Sequence, residues 1–189
     1  MSNSNKYIII GGSAGSFQTV IKILEALPND YPHTLILVLH RLKHVRKGFV
    51  EALKIKTKIP VSEPSDKEII NAGRVYLAPA NYHVYIDPGN TFTLSVEETV
   101  NHSRPSIDIS FASAAYVWKK RLTGIILSGA NSDGAVGLSK IEEYGGTVIV
   151  QDINECQVRT MSEKAISKTQ NPRVMKVAEI VDYILKLGT

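Results

Sequence analysis

Three residue types that together can activate a hydroxyl for attack on an acyl carbon stand at comparable places in this sequence. Ser13 lies in Gly11-Gly12-Ser13-Ala14-Gly15, His40 follows the apolar run Thr34–Leu39, and Asp133 closes Ser128-Gly129-Ala130-Asn131-Ser132-Asp133-Gly134. A serine hydroxyl is a poor nucleophile at neutral pH until an imidazole takes its proton. The imidazole in turn needs a carboxylate to fix its tautomer and orientation. A tetrahedral intermediate then needs donors for its oxyanion. The Ala14 N–H, immediately after Ser13, is one candidate, and the Gly129-Ala130 turn offers another.

Each of these residues also has a plainer reading. Gly11-x-Ser13-x-Gly15 formally matches G-x-S-x-G, yet Ser13 could simply N-cap the helix that follows. The same turn could cradle a phosphate, although it contains neither G-x-G-x-x-G nor G-x-x-x-x-G-K-[ST]. His40 could be a strand-end histidine or part of a substrate-facing surface, and Asp133 could N-cap its own following helix. Asp108 rivals Asp133 as the acid but falls within a helix rather than at a strand end. His83 and His102 could line a pocket, with no carboxylate at a telling spacing. His33 and His44 read as surface loop residues. Cys156 reads as a bystander, since nothing in Asn154-Glu155-Cys156-Gln157 predicts a lowered thiol pKa. No His/Asp/Glu spacing resembles a metal ligand set, and no cofactor is expected.

The elements that must position these residues alternate between strand and helix. Tyr7–Ile10 is a continuous apolar run, suited to a strand buried on both faces. Phe17–Leu27 has helical spacing and is ended by Pro28-Asn29-Asp30. Thr34–Leu39 is a second buried strand, residues 46–58 read as helix, and Ile59–Val61 as a short strand. Arg74–Ala78 is a strand stopped by Pro79. Tyr82–Ile86 and Thr91–Val96 flank Asp87-Pro88-Gly89-Asn90, a hairpin signature at a sheet edge. A helix spans about Ser106–Lys120, Leu122–Leu127 and Thr147–Gln151 are strands with a helix between them, and helices near 162–168 and 175–187 close the chain. This order predicts a three-layer α/β/α doubly wound fold, with a mainly parallel sheet and an antiparallel hairpin at one edge. Ligands in such sheets gather at the C-terminal ends of the strands, and three of those ends carry Ser13, His40 and Asp133.

Composition narrows the field. The chain has 189 residues, enough for one domain with a sizeable core, and its 43% hydrophobic and 21% charged residues are those of a soluble globular protein. A single cysteine excludes an internal disulfide and fits a reducing compartment. No segment is long and apolar enough to span a membrane. The net charge is +4, with basic residues thickening at 41–58 and at Lys119-Lys120-Arg121. No aromatic residues are interleaved with them to stack on bases, so nucleic acid is a poor fit and an acidic protein partner suits the charge at least as well.

Five motifs, in order, resemble the bacterial chemotaxis protein-glutamate methylesterases: Ile10-Gly-Gly-Ser-Ala-Gly15, Val38-Leu-His-Arg41, Val75-Tyr-Leu-Ala-Pro-Ala80, Arg104-Pro-Ser-Ile-Asp-Ile109 and Leu127-Ser-Gly-Ala-Asn-Ser-Asp-Gly134. The resemblance covers essentially the whole chain. It implies a Ser–His–Asp triad in that chain order, with Ser13 as nucleophile, His40 as base and Asp133 as orienting acid. It also implies an oxyanion hole from the backbone N–H groups of Ala14 and Ala130. The reaction implied is cytoplasmic hydrolysis of glutamate γ-methyl esters on the helical bundles of chemoreceptors, releasing methanol. Some members also deamidate receptor glutamines. The expected organisation is one catalytic domain over residues 1–189, with no receiver domain in this chain. Departures from the family pattern are Ser16 where glycine is common, Ala130 where methionine is common, and Gln157–Ser162, which lacks the proline expected after Met161. A serine esterase or amidase of the same fold on another signalling substrate, and a non-catalytic anion- or partner-binding module, are the alternatives.

Overall fold

The apolar run that opens the chain becomes the strand on which the rest is hung. In the computed structural model, which describes residues 5–40 and 48–189, this is β1 (Tyr7–Gly12), and all six of its residues are buried. Tyr7 and Ile9 face one hydrophobic layer and Ile8 and Ile10 the other. A strand covered on both faces needs no polar alternation.

The remaining elements follow in chain order: α1 (Phe17–Ala26), β2 (Thr34–Leu39), α2 (Phe49–Lys56), β3 (Val61–Ser62), β4 (Val75–Leu77), β5 (His83–Asp87), β6 (Thr91–Ser95), α3 (Ile107–Trp118), β7 (Leu122–Ile126), α4 (Ala135–Glu143), β8 (Thr147–Gln151), α5 (Thr160–Lys168), β9 (Arg173–Met175) and α6 (Val177–Leu187). Seven of the described strands form one sheet in the order β3-β4-β2-β1-β7-β8-β9, and every pairing in it is parallel. From β1 the chain moves outward first to β2 on one side and later to β7 on the other. The strand order therefore reverses at β1, which is where doubly wound sheets open their ligand crevice.

One layer packs α1, α2 and α6 on the sheet through residues such as Val20, Leu24, Leu53, Ile180 and Ile184. The opposite layer packs α3, α4 and α5 through Phe111, Trp118, Leu138, Ile141 and Met161. Each fully buried aliphatic or aromatic side chain of this kind contributes roughly 1.5–3 kcal/mol. The hairpin is present as β5–β6, but as its own two-stranded antiparallel sheet. Val84, Ile86 and Phe92 turn into the core beside α3, so the hairpin covers that helix layer instead of adding a strand to the main sheet.

Two further details depart from the sequence reading. The segment expected to start a helix at 175 first forms β9, an exposed edge strand paired with β8. His33, read as a surface residue, is 5% exposed: its Nδ1 accepts from the Lys6 N–H and its Nε2 donates to Leu187 O, closing the chain ends over the lower edge of the sheet. The expected helix at 46–58 is described from Gly48 onward. His44 and the basic residues Arg41, Lys43, Arg46 and Lys47 lie outside the described residues.

Candidate active site

Strand register brings the chemistry-bearing residues to one rim. β1 and β2 pair in parallel with Gly12 opposite Leu39, and the His40 N–H extends that ladder by donating to Gly12 O at 3.0 Å. His40 therefore leaves the sheet beside Ser13. On the other side of β1, the Ser13 N–H donates to Ser128 O at 3.0 Å, just past the end of β7. The loop from Ser128 then delivers Asp133.

The turn that carries Ser13 is tightly determined. Its carbonyl accepts from the Ser16 N–H at 3.1 Å and from Ser16 Oγ at 2.7 Å. Gly15 has φ +81°, and a Cβ there would come within 2.6 Å of the Gln157 side chain and 2.8 Å of Ser128 Oγ, so only glycine fits. Ser16, the departure noted above, is buried and holds the N-cap position of α1. The plain capping role for Ser13 is thus not realised, because the N-cap falls three residues later, at Ser16. Ser128 staples this turn to its neighbours, donating from Oγ to Ala14 O at 2.8 Å and accepting the Val158 N–H at 2.9 Å.

The His40–Asp133 pair is formed. Nε2 donates to Asp133 Oδ2 at 2.8 Å, with the imidazole 12% exposed and the carboxylate fully buried. That bond places the proton on Nε2 and leaves the Nδ1 lone pair free to accept. Asp133 takes four further hydrogen bonds from described residues. They come from the Ile107 N–H (2.7 Å), the Asp108 N–H (3.1 Å), Ser106 Oγ (2.9 Å) and Asn101 Nδ2 (3.2 Å). Burial works to raise its pKa, but the bonds from His40 and from the Ile107 and Asp108 amides outweigh it and hold the carboxyl below its ordinary value.

Asp133 does cap a helix, though not its own. It satisfies the first amides of α3, while Asp108, in the first turn of α3, accepts the Gly134 and Gly137 N–H groups of α4 at 2.9 and 2.7 Å. The two helices exchange caps. Burial, with the nearby Asp133 charge, raises the Asp108 pKa against the lowering effect of those amides.

The Ser13 hydroxyl makes no hydrogen bond to His40 among the described residues. His40 Nδ1 instead faces Ser103 Oγ at 3.4 Å, a long contact. Ser103 sits in a tight turn in which Val100 and Ser103 exchange backbone bonds, and Asn101 and His102 between them have φ +51° and +61°. Ser106 falls within the Arg104–Ile109 motif, whereas Asn101 and Ser103 belong to no motif and are residues that sequence reasoning misses. Their abundance of side-chain donors was the available signal. The Ala14 and Ala130 N–H groups have no acceptor among the described residues, although Gly129 beside Ala130 is pinned through both its N–H (to Val158 O) and its C=O (from Met161 N–H).

The other candidates are engaged elsewhere. His83 is fully buried and locked through both ring nitrogens, donating to Glu98 O and accepting from the Ser106 N–H. His102 is exposed. Burial pushes the Cys156 thiol pKa up, and its Sγ contacts Ser162 Oγ at 3.2 Å. A groove of about 700 Å³ between α1 and α6 shares Gly15 with the turn, but Ser13, His40 and Asp133 do not line it. No described helix is long and apolar enough to cross a membrane.

Comparison with known proteins places this arrangement. The family model for CheB methylesterase matches residues 8–184. The chain belongs to the CheB methylesterase family. A Leptospira interrogans protein, provisionally named a protein-glutamate methylesterase/protein-glutamine glutaminase, is 39% identical over 180 residues, covering 95% of this chain and 93% of its own. The Bordetella pertussis protein-glutamate methylesterase/protein-glutamine glutaminase is 34% identical over 192 residues, covering 99% of this chain and 55% of its own. The chain thus spans about half the length of that relative. The crystal structure of the Thermotoga maritima CheB methylesterase catalytic domain superposes with a TM-score of 0.90 at 29% identity, covering 97% of this chain and 98% of that one.

Proposed function

We propose that this member of the CheB methylesterase family is a serine hydrolase of glutamate γ-methyl esters on the cytoplasmic domains of chemoreceptors. It would release glutamate and methanol, and it would hydrolyse glutamine side-chain amides by the same acyl chemistry. The observation that carries the reading is the buried His40–Asp133 hydrogen bond, 2.8 Å long, at the strand ends where the Ser13 turn also emerges.

With Nε2–H held by Asp133, His40 Nδ1 is the nitrogen that takes the Ser13 proton as Oγ attacks the ester carbonyl. The resulting oxyanion is received by the Ala14 and Ala130 amides, which have no acceptor among the described residues. Collapse expels methoxide, which leaves as methanol with the proton from His40, and an acyl-Ser13 ester remains. Water, deprotonated at Nδ1, attacks that ester, and the proton returns to Ser13 as the glutamate carboxylate leaves. The site lies on an open rim, with Ala14 and Ala130 exposed; this shape suits a side chain presented by a protein.

The test is methanol release from a methylated chemoreceptor cytoplasmic fragment by wild type, Ser13→Ala and Ser103→Ala side by side. Wild type and Ser103→Ala are expected to turn over and Ser13→Ala to lose activity by about three orders of magnitude or more. Activity surviving in Ser13→Ala but lost in Ser103→Ala would move the nucleophile to the serine that contacts His40. Labelling of Ser13 by a serine-directed covalent probe without methanol release would point to a different ester.

A further inference from the structure

We propose that Asn101 is a positioning residue that acts through Asp133: its side-chain amide ties that carboxylate to Asp108 and so fixes the plane on which the His40 imidazole is held. The proposal rests on the reading of His40 and Asp133 as base and orienting acid.

Asn101 Nδ2 has two N–H groups, and the structure uses both. One donates to Asp133 Oδ1 at 3.2 Å and the other to Asp108 Oδ2 at 3.0 Å. The two carboxylates are otherwise held by the crossed helix caps, which engage Asp133 through both oxygens and Asp108 through Oδ1. Without the amide, Asp108 Oδ2 loses its donor, and the half-buried Asp108 carboxylate faces the fully buried Asp133 carboxylate with nothing neutral between them. The opposite displacement of their pKa values, Asp133 down and Asp108 up, is the pattern expected of adjacent carboxyls in unequal settings.

Packing does not explain Asn101, which is exposed. Its backbone does explain the residue type. At φ +51° asparagine is among the few non-glycine residues tolerated, and the Val100–Ser103 turn anchors it from both sides. The same turn sets Ser103 Oγ against His40 Nδ1. One four-residue turn thereby touches the pair at its acid end and at its base end.

Two variants separate positioning from folding. Asn101→Gly keeps the left-handed backbone and removes the amide; Asn101→Asp keeps the shape and puts an acceptor where a donor is needed. On a methylated chemoreceptor fragment, kcat is expected to fall about tenfold in the first and about a hundredfold in the second, with KM changed by less than about twofold. In proton NMR of the full chain, the downfield His40 Nε2–H resonance is expected to shift or broaden in both. Folded variants with wild-type kcat and an unmoved resonance would overturn the proposal. Because the resonance reports the His40–Asp133 bond without substrate, it decides the matter even if the wild type proves inactive on that fragment. Inactive wild type would instead tell against the chemoreceptor ester as substrate, and full turnover in Ser13→Ala against Ser13 as the nucleophile.

Discussion

At the scale of single residues, Asp133 has the most to lose by substitution. A carboxylate only accepts, and here both oxygens are surrounded by donors: His40 and Ile107 on Oδ2, Ser106, Asp108 and Asn101 on Oδ1. In Asp133→Asn, either orientation of the amide sets its own N–H groups against at least two donors. That should cost about 2–4 kcal/mol of stability and three to four orders of magnitude in kcat, through loss of the His40 tautomer. The stability difference carries its own pH signature. Because the folded pKa is depressed, the stabilisation by Asp133 is fully present above the unfolded carboxylate value of about 3.9 and is lost as pH falls through the lower folded value. Urea midpoints of wild type and Asp133→Asn should therefore differ most at neutral pH and converge at acid pH, below the ordinary carboxylate range. An equal gap at both pH values would show that the bonds around Asp133 do not depend on its charge. Residue type at three strand ends was enough to nominate Ser13, His40 and Asp133. It could not nominate Asn101 or Ser103, because their importance lies in what a loop brings them to, and polar loop residues are mostly solvated.

At the scale of elements, the site depends on how closely α3 and α4 approach. Each contributes an aspartate to the other's N-terminus, so a change in their separation moves Asp133 and the His40 partner with it. Gly137, in the first turn of α4, sets that separation. A Cβ there would stand 2.6 Å from Phe111 Cβ and 2.9 Å from the Asp108 backbone, and backbone cannot rotate away as a side-chain tip can. Gly137→Ala, normally favourable inside a helix, should instead destabilise by about 1–3 kcal/mol and lower kcat together with the thermal midpoint. A variant as stable and active as wild type would mean that the two helices slide freely over one another. Hydrophobic runs and turn residues were sufficient to place the buried parallel strands and most helices, since those signals are local. β9 escaped notice because its burial is slight: Arg173 and Val174 are exposed and the strand is only three residues long. The detachment of the hairpin from the main sheet likewise depends on the inward faces of Val84, Ile86 and Phe92 meeting α3, a long-range contact that alternation alone does not specify.

At the scale of the whole molecule, the two ends of the sheet carry different duties. The C-terminal ends of β1, β2 and β7 hold the Ser13, His40 and Asp133 cluster. The opposite edge holds the chain together. There Tyr31 Oη donates to Ile184 O at 2.8 Å, and His33 bridges the Lys6 N–H and Leu187 O, so the segment before β2 clamps the last turn of α6 to the start of β1. Tyr31 is 2% exposed, and burial raises its phenol pKa well beyond the ordinary range, so it stays a donor past the pH at which a free phenol ionises. Tyr31→Phe keeps the ring and leaves a carbonyl without its partner, at a cost of about 1–2 kcal/mol. For a chain of this size that is roughly 2–8 °C in the thermal midpoint. Amide exchange should quicken in α6 ahead of the sheet, because among the described residues Tyr31 and His33 are what tie its Ile184 and Leu187 carbonyls to the rest of the fold. Turnover at 25 °C should be unchanged, since the lost bond lies at the far edge of the sheet from His40 and Asp133. A Tyr31→Phe variant with a normal midpoint but reduced kcat would reverse that division of duties and imply that strain at the lower edge is transmitted along β1 and β2 to the rim.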